Sequence, residues 1–153
     1  MQTFIEICPN LHNTTHFSTM EGKPLIYIID DDIVSQFATR YKVEQAGRPC
    51  KIVCCDSAPE GLNICRDAAA DLRSVPDILL LDLVMPDMDG WEFLSEFEKI
   101  KCGPERTDIY VLSDFTDSRE RKRAGGHPLV TDCFNKPLTK ENMETIFGFW
   151  AQR

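Results

Sequence analysis

No Cys-x-x-Cys pair occurs in the chain, and the seven cysteines, at positions 8, 50, 54, 55, 65, 102 and 133, leave one over in any disulfide scheme. Zinc-ribbon and dithiol redox signatures are thereby excluded; several cysteines sit inside apolar runs, which predicts buried free thiols in a reducing compartment. Positive charge is scarce as well. Seventeen Lys and Arg against 25 Asp and Glu give a formal charge of −8, which excludes a phosphate-tracking surface and with it direct binding of nucleic acid. Long apolar runs are missing: the longest, around Leu79, is too short to span a bilayer, and no Lys or Arg precedes Lys23 to form the basic start of a signal segment. The expectation is a cytoplasmic protein with no membrane partner. Glycine and proline, 8 and 9 in 153 residues, are not abundant, and 42% hydrophobic content suits one globular domain.

What is present is a series of short apolar runs that stop at polar residues. Leu25-Ile26-Tyr27-Ile28-Ile29 stops at Asp30-Asp31-Asp32, and Ile78-Leu79-Leu80-Leu81 stops at Asp82. Asp108 to Ser113 ends on a hydroxyl, and Leu129 to Phe134 ends at Asn135-Lys136-Pro137, with Ile52 to Cys55 as a shorter run. Continuous apolar runs of this length read as strands buried on both faces. Between them lie helical patterns. Val34, Phe37, Ala38 and Tyr41 predict an amphipathic helix that Gly47 ends. Ser57 and Glu60 form a capping-box pattern before a helix with Ala58, Leu62, Cys65, Ala69 and Leu72 inward. Trp91, Leu94 and Phe97 predict a helix to about Ile100, and Met143, Ile146, Phe147 and Trp150 a closing one. The stretch Thr116 to Gly126 is charged, and if helical it has only Phe115 and Ala124 as apolar anchors. Strands alternating with helices predict an α/β fold, a doubly wound five-stranded parallel sheet with helices on both faces. Residues 1–22 predict a flexible extension ahead of a domain over 23–153; His12 and His16 lack a third ligand and are separated by the poor helix formers Asn13, Thr14 and Thr15.

In a parallel sheet the carboxyl ends of the strands share one edge, where ligands bind. Asp30, Asp31, Asp82, Ser113 and Lys136 therefore converge. Grouped carboxylates repel one another unless a cation lies between them, and an oxygen-only donor set suits Mg²⁺. An ammonium and a hydroxyl opposite a metal are what a phosphoryl group requires.

On these residues the chain resembles the receiver domain of two-component response regulators, from about Pro24 to Trp150. Asp30 and Asp31 match the acidic pair after the first strand, Asp82 with Met85-Pro86 and Asp89-Gly90 the phosphoacceptor loop, Ser113 the strand-four hydroxyl, and Lys136-Pro137 the lysine and its proline. It also looks like stand-alone receivers with a Trp-Glu-Phe-Leu helix and a Lys-Pro-Leu-Thr-Lys ending. The resemblance implies the flavodoxin-like strand order 2-1-3-4-5 and a cis peptide before Pro137. It further implies that a histidine kinase or histidine phosphotransfer protein donates a phosphoryl group to Asp82, and that a downstream protein target reads the result. Asp31, Asp82 and the Val84 carbonyl would ligate Mg²⁺, Asp30 would act through water, and Lys136 and Ser113 would contact the phosphoryl oxygens. Such a domain is a signalling phosphoacceptor, an enzyme only toward its own phosphorylation and dephosphorylation.

Two positions depart from the family pattern. Cys133 stands where an aromatic usually reports phosphorylation, and Asp114 where a small residue usually admits small phosphodonors. Val84 and Phe115, which would flank the path of a hydrolytic water, cannot orient one, so the expected acyl phosphate is long-lived. Three rivals fare worse. An aspartyl-phosphate phosphohydrolase needs a second Asp two residues after the nucleophile, where this chain has Val84. A flavin-binding relative needs a phosphate loop that Asp30-Asp31-Asp32 would repel. A receiver-like scaffold that takes no phosphate would have no use for Asp31, Asp82, Ser113 and Lys136 together.

Overall fold

The computed structural model describes residues 22–70, 75–100 and 107–152. Its centre is the most apolar run of the sequence: β3 (Ile78–Asp82) is buried at every residue. A strand so covered must have neighbours on both sides and helices on both faces, and it has. In chain order the elements are β1 (Leu25–Ile29), α1 (Ile33–Gln45), β2 (Lys51–Cys55), α2 (Ala58–Ala70), β3, α3 (Gly90–Phe97), β4 (Asp108–Ser113), α4 (Ser118–Gly125), β5 (Val130–Asn135) and α5 (Lys140–Trp150). The strands are all parallel, in the order β2-β1-β3-β4-β5. This is the doubly wound fold that the alternation predicts.

Alternate strand residues face opposite layers. Tyr27, Ile29, Leu79, Leu81 and Ile109 pack with Leu62 and Cys65 of α2 and Phe93 and Phe97 of α3. On the other face Ile26, Ile28, Ile78, Leu80 and Leu112 meet Val43 of α1 and Met143, Ile146 and Phe147 of α5. Ala124 of α4 joins Leu83, Val111 and Cys133 in a smaller cluster. Cys55, Cys65 and Cys133 are buried free thiols, and Cys50 and Cys54 are half-buried. Burial pushes the Cys55 and Cys65 thiols up to about 12, so neither is a nucleophile near neutral pH. Among the described residues no helix is long and apolar enough to cross a membrane.

The structure corrects the reading of α1. Val34, Phe37 and Tyr41 point outward, 74%, 69% and 52% exposed, and Ala38 is exposed with them. The buried residues are Gln36, Thr39 and Val43. The cause is polar. Asp32 caps the helix, accepting from the Val34 and Ser35 amides, which sets its rotation. Gln36 Nε2 then reaches the carbonyls of Asp30 and Cys55, each at 3.1 Å, at the ends of β1 and β2, where the Cys55 carbonyl also accepts from the Asp30 amide at 3.2 Å. The Asp30 carbonyl needs a donor, and a leucine there would supply none.

Smaller differences follow from packing. In α2 the third turn buries Ala68, with Ala69 half-buried; Leu72 lies outside the described residues. In α3 the inward residues are Phe93, Leu94 and Phe97, Trp91 is half-buried, and the helix ends at Phe97 instead of near Ile100. The fifth strand starts at Val130, one residue after the apolar run does. Apart from Gly22, the expected N-terminal extension lies outside the described residues, as do Cys8 and Cys102.

Candidate functional site

The acidic edge is assembled by β1 and β3, adjacent strands whose carboxyl ends stand side by side. Asp82 is the last residue of β3 and is 7% exposed; Asp30 directly follows β1 and is 3% exposed. Asp31 beside it is exposed, and oxygen atoms of the three carboxylates all lie within 4.8 Å of one another. The loop after β3 is pressed inward because α3 approaches it closely. A Cβ on Gly90 would come to 2.7 Å from the Asp82 carbonyl and 2.8 Å from the Leu83 Cα, so only glycine fits there. Gly90 N–H donates to the Leu83 carbonyl at 2.9 Å, and Asp89 caps α3 in a reciprocal box with Glu92. The bend in between uses Asp87 at φ 64°, a left-handed conformation that Asp tolerates.

Lys136 closes the site from β5. Its ammonium donates to Asp30 Oδ2 at 2.7 Å and lies 3.3 Å from Asp82 Oδ1. The Lys136-Pro137 peptide is cis, as the resemblance implied. Ser113 ends β4, the strand between β3 and β5; it is buried, and its carbonyl accepts from the Lys136 amide at 3.1 Å. The Val84 amide works to lower the pKa of the Asp82 carboxylate, while its side chain stands 70% exposed. Asp30, Asp31, Asp82 and Lys136 are thus brought together, with Ser113 and Val84 on the same edge.

The two partners of the Asp82–Lys136 contact both shift upward. Burial raises the pKa of Asp82, and Asp30 adds repulsion; Lys136 and the Val84 amide oppose these but do not prevail. For Lys136, burial works downward and is outweighed by the hydrogen bond to Asp30 and by the charge of Asp82. The shorter contact explains the asymmetry. Lys136 is held chiefly by Asp30, so it remains an ammonium while Asp82 is left under-compensated. A buried carboxylate in that condition favours a divalent cation beside it.

Sequence reading did not single out Ser35 and Gln36. Ser35 Oγ donates to Asp30 Oδ2 at 2.6 Å, and Gln36 Nε2, besides its two carbonyls, lies 3.0 Å from Asp56 Oδ1. The available signal was two polar residues one turn beyond the Asp30-Asp31-Asp32 run, off the apolar stripe. On the far side, Arg121 of α4 donates to Asn135 Oδ1 at 2.7 Å, next to Lys136. The cavity of 320 Å³ between α1 and α5, lined by Lys42, Arg48, Lys140, Glu144 and Phe147 among others, includes none of Asp30, Asp31 and Asp82.

Comparison with known proteins bears on the family and the fold. The family model of the response regulator receiver domain matches residues 26–147. A probable histidine kinase 1 of Oryza sativa subsp. indica is 26% identical over 129 residues, 76% of this chain, which spans only 12% of that protein's length. An uncharacterized 14.6 kDa protein of Leptolyngbya boryana is 26% identical over 115 residues, 75% of this chain and 77% of that one. Among solved structures, a two-component response regulator from Cytophaga hutchinsonii superposes with a TM-score of 0.79 at 23% identity, covering 86% of this chain and 99% of that one, a likeness of fold. The match over residues 26–147 covers most of the chain, and the chain belongs to the response regulator receiver domain family.

Proposed function

We propose that this domain accepts a phosphoryl group on Asp82 from a phosphohistidine carried by a histidine kinase or a histidine phosphotransfer protein. An Asp82 carboxylate oxygen attacks phosphorus in line with the leaving nitrogen, the P–N bond breaks, the imidazole departs, and an acyl phosphate remains. The observation that carries this reading is the meeting of three carboxylates within 4.8 Å with one ammonium. Such a donor set fits a hard divalent cation, Mg²⁺, held by Asp31, Asp82 and the Val84 carbonyl, with Asp30 acting through water. When bound, the cation supplies neutralisation of charge on the carboxylates and on the incoming phosphoryl oxygens. Lys136 stays an ammonium and offers its remaining N–H donors to the phosphoryl group, and the Ser113 hydroxyl donates from the next strand. Asp82 is the nucleophile because it ends the central strand and, buried, is held by Lys136 less closely than Asp30 is, at 3.3 Å against 2.7 Å.

The donor must lie over the mouth of the site. Ile33, 76% exposed, and Val34 follow Asp31 and Asp32 directly, Val84 follows Asp82 by two residues, and Phe37 and Tyr41 stack at 6.4 Å along the same helix. An apolar patch of this size beside a polar site marks a protein interface, and here it suits the apolar face of the donor's helices. Asp114, exposed beside Ser113, disfavours small anionic donors and so favours a protein donor. The output passes to a downstream protein target, and the setting is the cytoplasm, where kinases of this class work.

The test is intact-mass analysis after incubation with Mg²⁺ and a panel of phosphorylated kinases, phosphotransfer proteins and acetyl phosphate. Wild type gains a phosphoryl mass that Asp82→Asn does not. Gain of the same mass by Asp82→Asn, or by no protein under any donor, removes the reading.

A further inference from the structure

We infer that Ser35 is a positioning residue of the acidic site, holding the Asp30 carboxylate in the orientation that a bound cation needs; the inference rests on the Mg²⁺ reading above. An ionised carboxylate offers about four lone-pair sites. On Asp30, Oδ2 receives two donors, Ser35 Oγ at 2.6 Å and Lys136 Nζ at 2.7 Å. Oδ1 receives the Asp32 amide at 2.9 Å. One site is left, on Oδ1, and it is the only one with which Asp30 can serve a metal-bound water without breaking a bond already made.

Lys136 cannot guarantee that orientation by itself. Its ammonium is shared with Asp82, and a phosphoryl group on Asp82 draws on the same three N–H donors. As Lys136 turns toward the new charge, Asp30 Oδ2 loses part of its compensation while remaining 3% exposed and out of reach of bulk water. Ser35 belongs to no other partner in that exchange. Its short hydroxyl-to-carboxylate bond is of the charge-assisted kind and stays in place when the lysine moves.

The local sequence explains why a helix residue can do this. Asp32 caps α1, so Ser35 falls in the first turn, on the side facing back toward β1. Gln36, next in line, holds the Asp30 carbonyl at 3.1 Å. Side chain and backbone of Asp30 are therefore fixed from two consecutive residues of one helical turn. A glutamine fixes the backbone, and a serine fixes the carboxylate.

Isothermal calorimetry with MgCl₂, on wild type, Ser35→Ala and Ser35→Thr, decides the matter, with thermal melts of each metal-free protein alongside. Residues that orient a metal site without touching the metal change affinity by about tenfold when removed. Ser35→Ala is expected to bind Mg²⁺ about tenfold more weakly while melting somewhat lower than wild type and remaining folded at the titration temperature, and Ser35→Thr, which keeps the hydroxyl, to bind and melt as wild type does. Ser35→Ala binding like wild type overturns the inference, and so does Ser35→Thr binding as weakly as Ser35→Ala. Wild type taking up no Mg²⁺ is a different failure, because it removes the cation reading on which the inference stands.

Discussion

The helices α1 and α4 both begin at an aspartate cap and both flank the edge that holds Asp82, yet they are built in opposite ways. The outer face of α1 is apolar, with Ile33, Val34, Phe37 and Tyr41 in solvent, and its inner face buries Gln36 and Thr39. In α4 the outside is charged, Arg119, Glu120, Arg121, Lys122 and Arg123 in succession, and Ala124 is its one buried residue. Neither is placed by the apolar stripe that usually seats a helix on a sheet. Polar bonds to the strand ends hold α1, and through Ser35 and Gln36 it touches the acidic site itself. A small buried side chain and cations laid over rings hold α4, and it approaches the site through the packing of Ala124 with Leu83 and through the Arg121–Asn135 bond. A helix rigidly tied to the site and apolar outside suits docking of the donor. A helix lightly tied and charged suits movement and readout by a second partner.

The largest effect expected from this division is on phosphotransfer. Placing aspartates at Val34 and Phe37 buries charge against the donor's apolar face, and two residues of hot-spot weight together lower the transfer rate by about a hundredfold or more. Reversing Arg119 and Lys122 to glutamate leaves transfer unchanged. Phosphorylation by acetyl phosphate, which needs no docking, stays at its wild-type rate in both variants. Stopped quench-flow with a phosphohistidine donor measures the first and intact mass the second. A charge reversal on α4 that slows transfer as much as the α1 changes do would erase the contrast.

Stability distinguishes the two helices next. Gln36→Leu keeps the volume but leaves the Asp30 carbonyl without its donor and the Cys55 carbonyl with the Asp30 amide alone, at a cost of about 2 kcal/mol. Equilibrium urea denaturation reads this as a lower midpoint at unchanged slope. A loss under about 0.5 kcal/mol would show that water replaces the amide and that α1 is not held as argued.

Much of this arrangement was legible in the residues alone, and the part that was not has one physical origin. The runs Leu25–Ile29 and Asp108–Ser113 coincide with β1 and β4 because a central parallel strand is apolar throughout and stops where its backbone meets solvent or ligand. Asp30, Asp31, Asp82 and Lys136 were visible for the same reason, each standing just past such a run. The rotation of α1 was not visible. Reading an apolar stripe as the buried face assumes that apolar burial decides, whereas the carbonyl of Asp30 past the end of β1 and its neighbour at Cys55 decide here, and they come together only once the sheet is assembled. Ser35 and Gln36 were hidden with it. In α2 three consecutive alanines, Ala68 to Ala70, carry too little contrast to say which one faces in.

The smallest expected effect is at the α4 side, where Arg123 lies over the Trp91 ring at 3.9 Å and His127 sits 6.1 Å from it. The contact joins α4 to α3 at the surface, where a cation over an indole contributes about 0.5–1 kcal/mol. Arg123→Ala is therefore expected to lower stability by no more than that. Its value is as a reporter. In a Trp150→Phe background Trp91 is the only tryptophan, and its emission depends on the guanidinium above it. If α4 is the part that moves when Asp82 is phosphorylated, phosphorylation shifts Trp91 emission in that background and the shift shrinks once Arg123 is alanine. An equal shift with and without Arg123 would place the moving part elsewhere, in the loop after Asp82 or in α1, and the assignment of readout to the charged helix would fall.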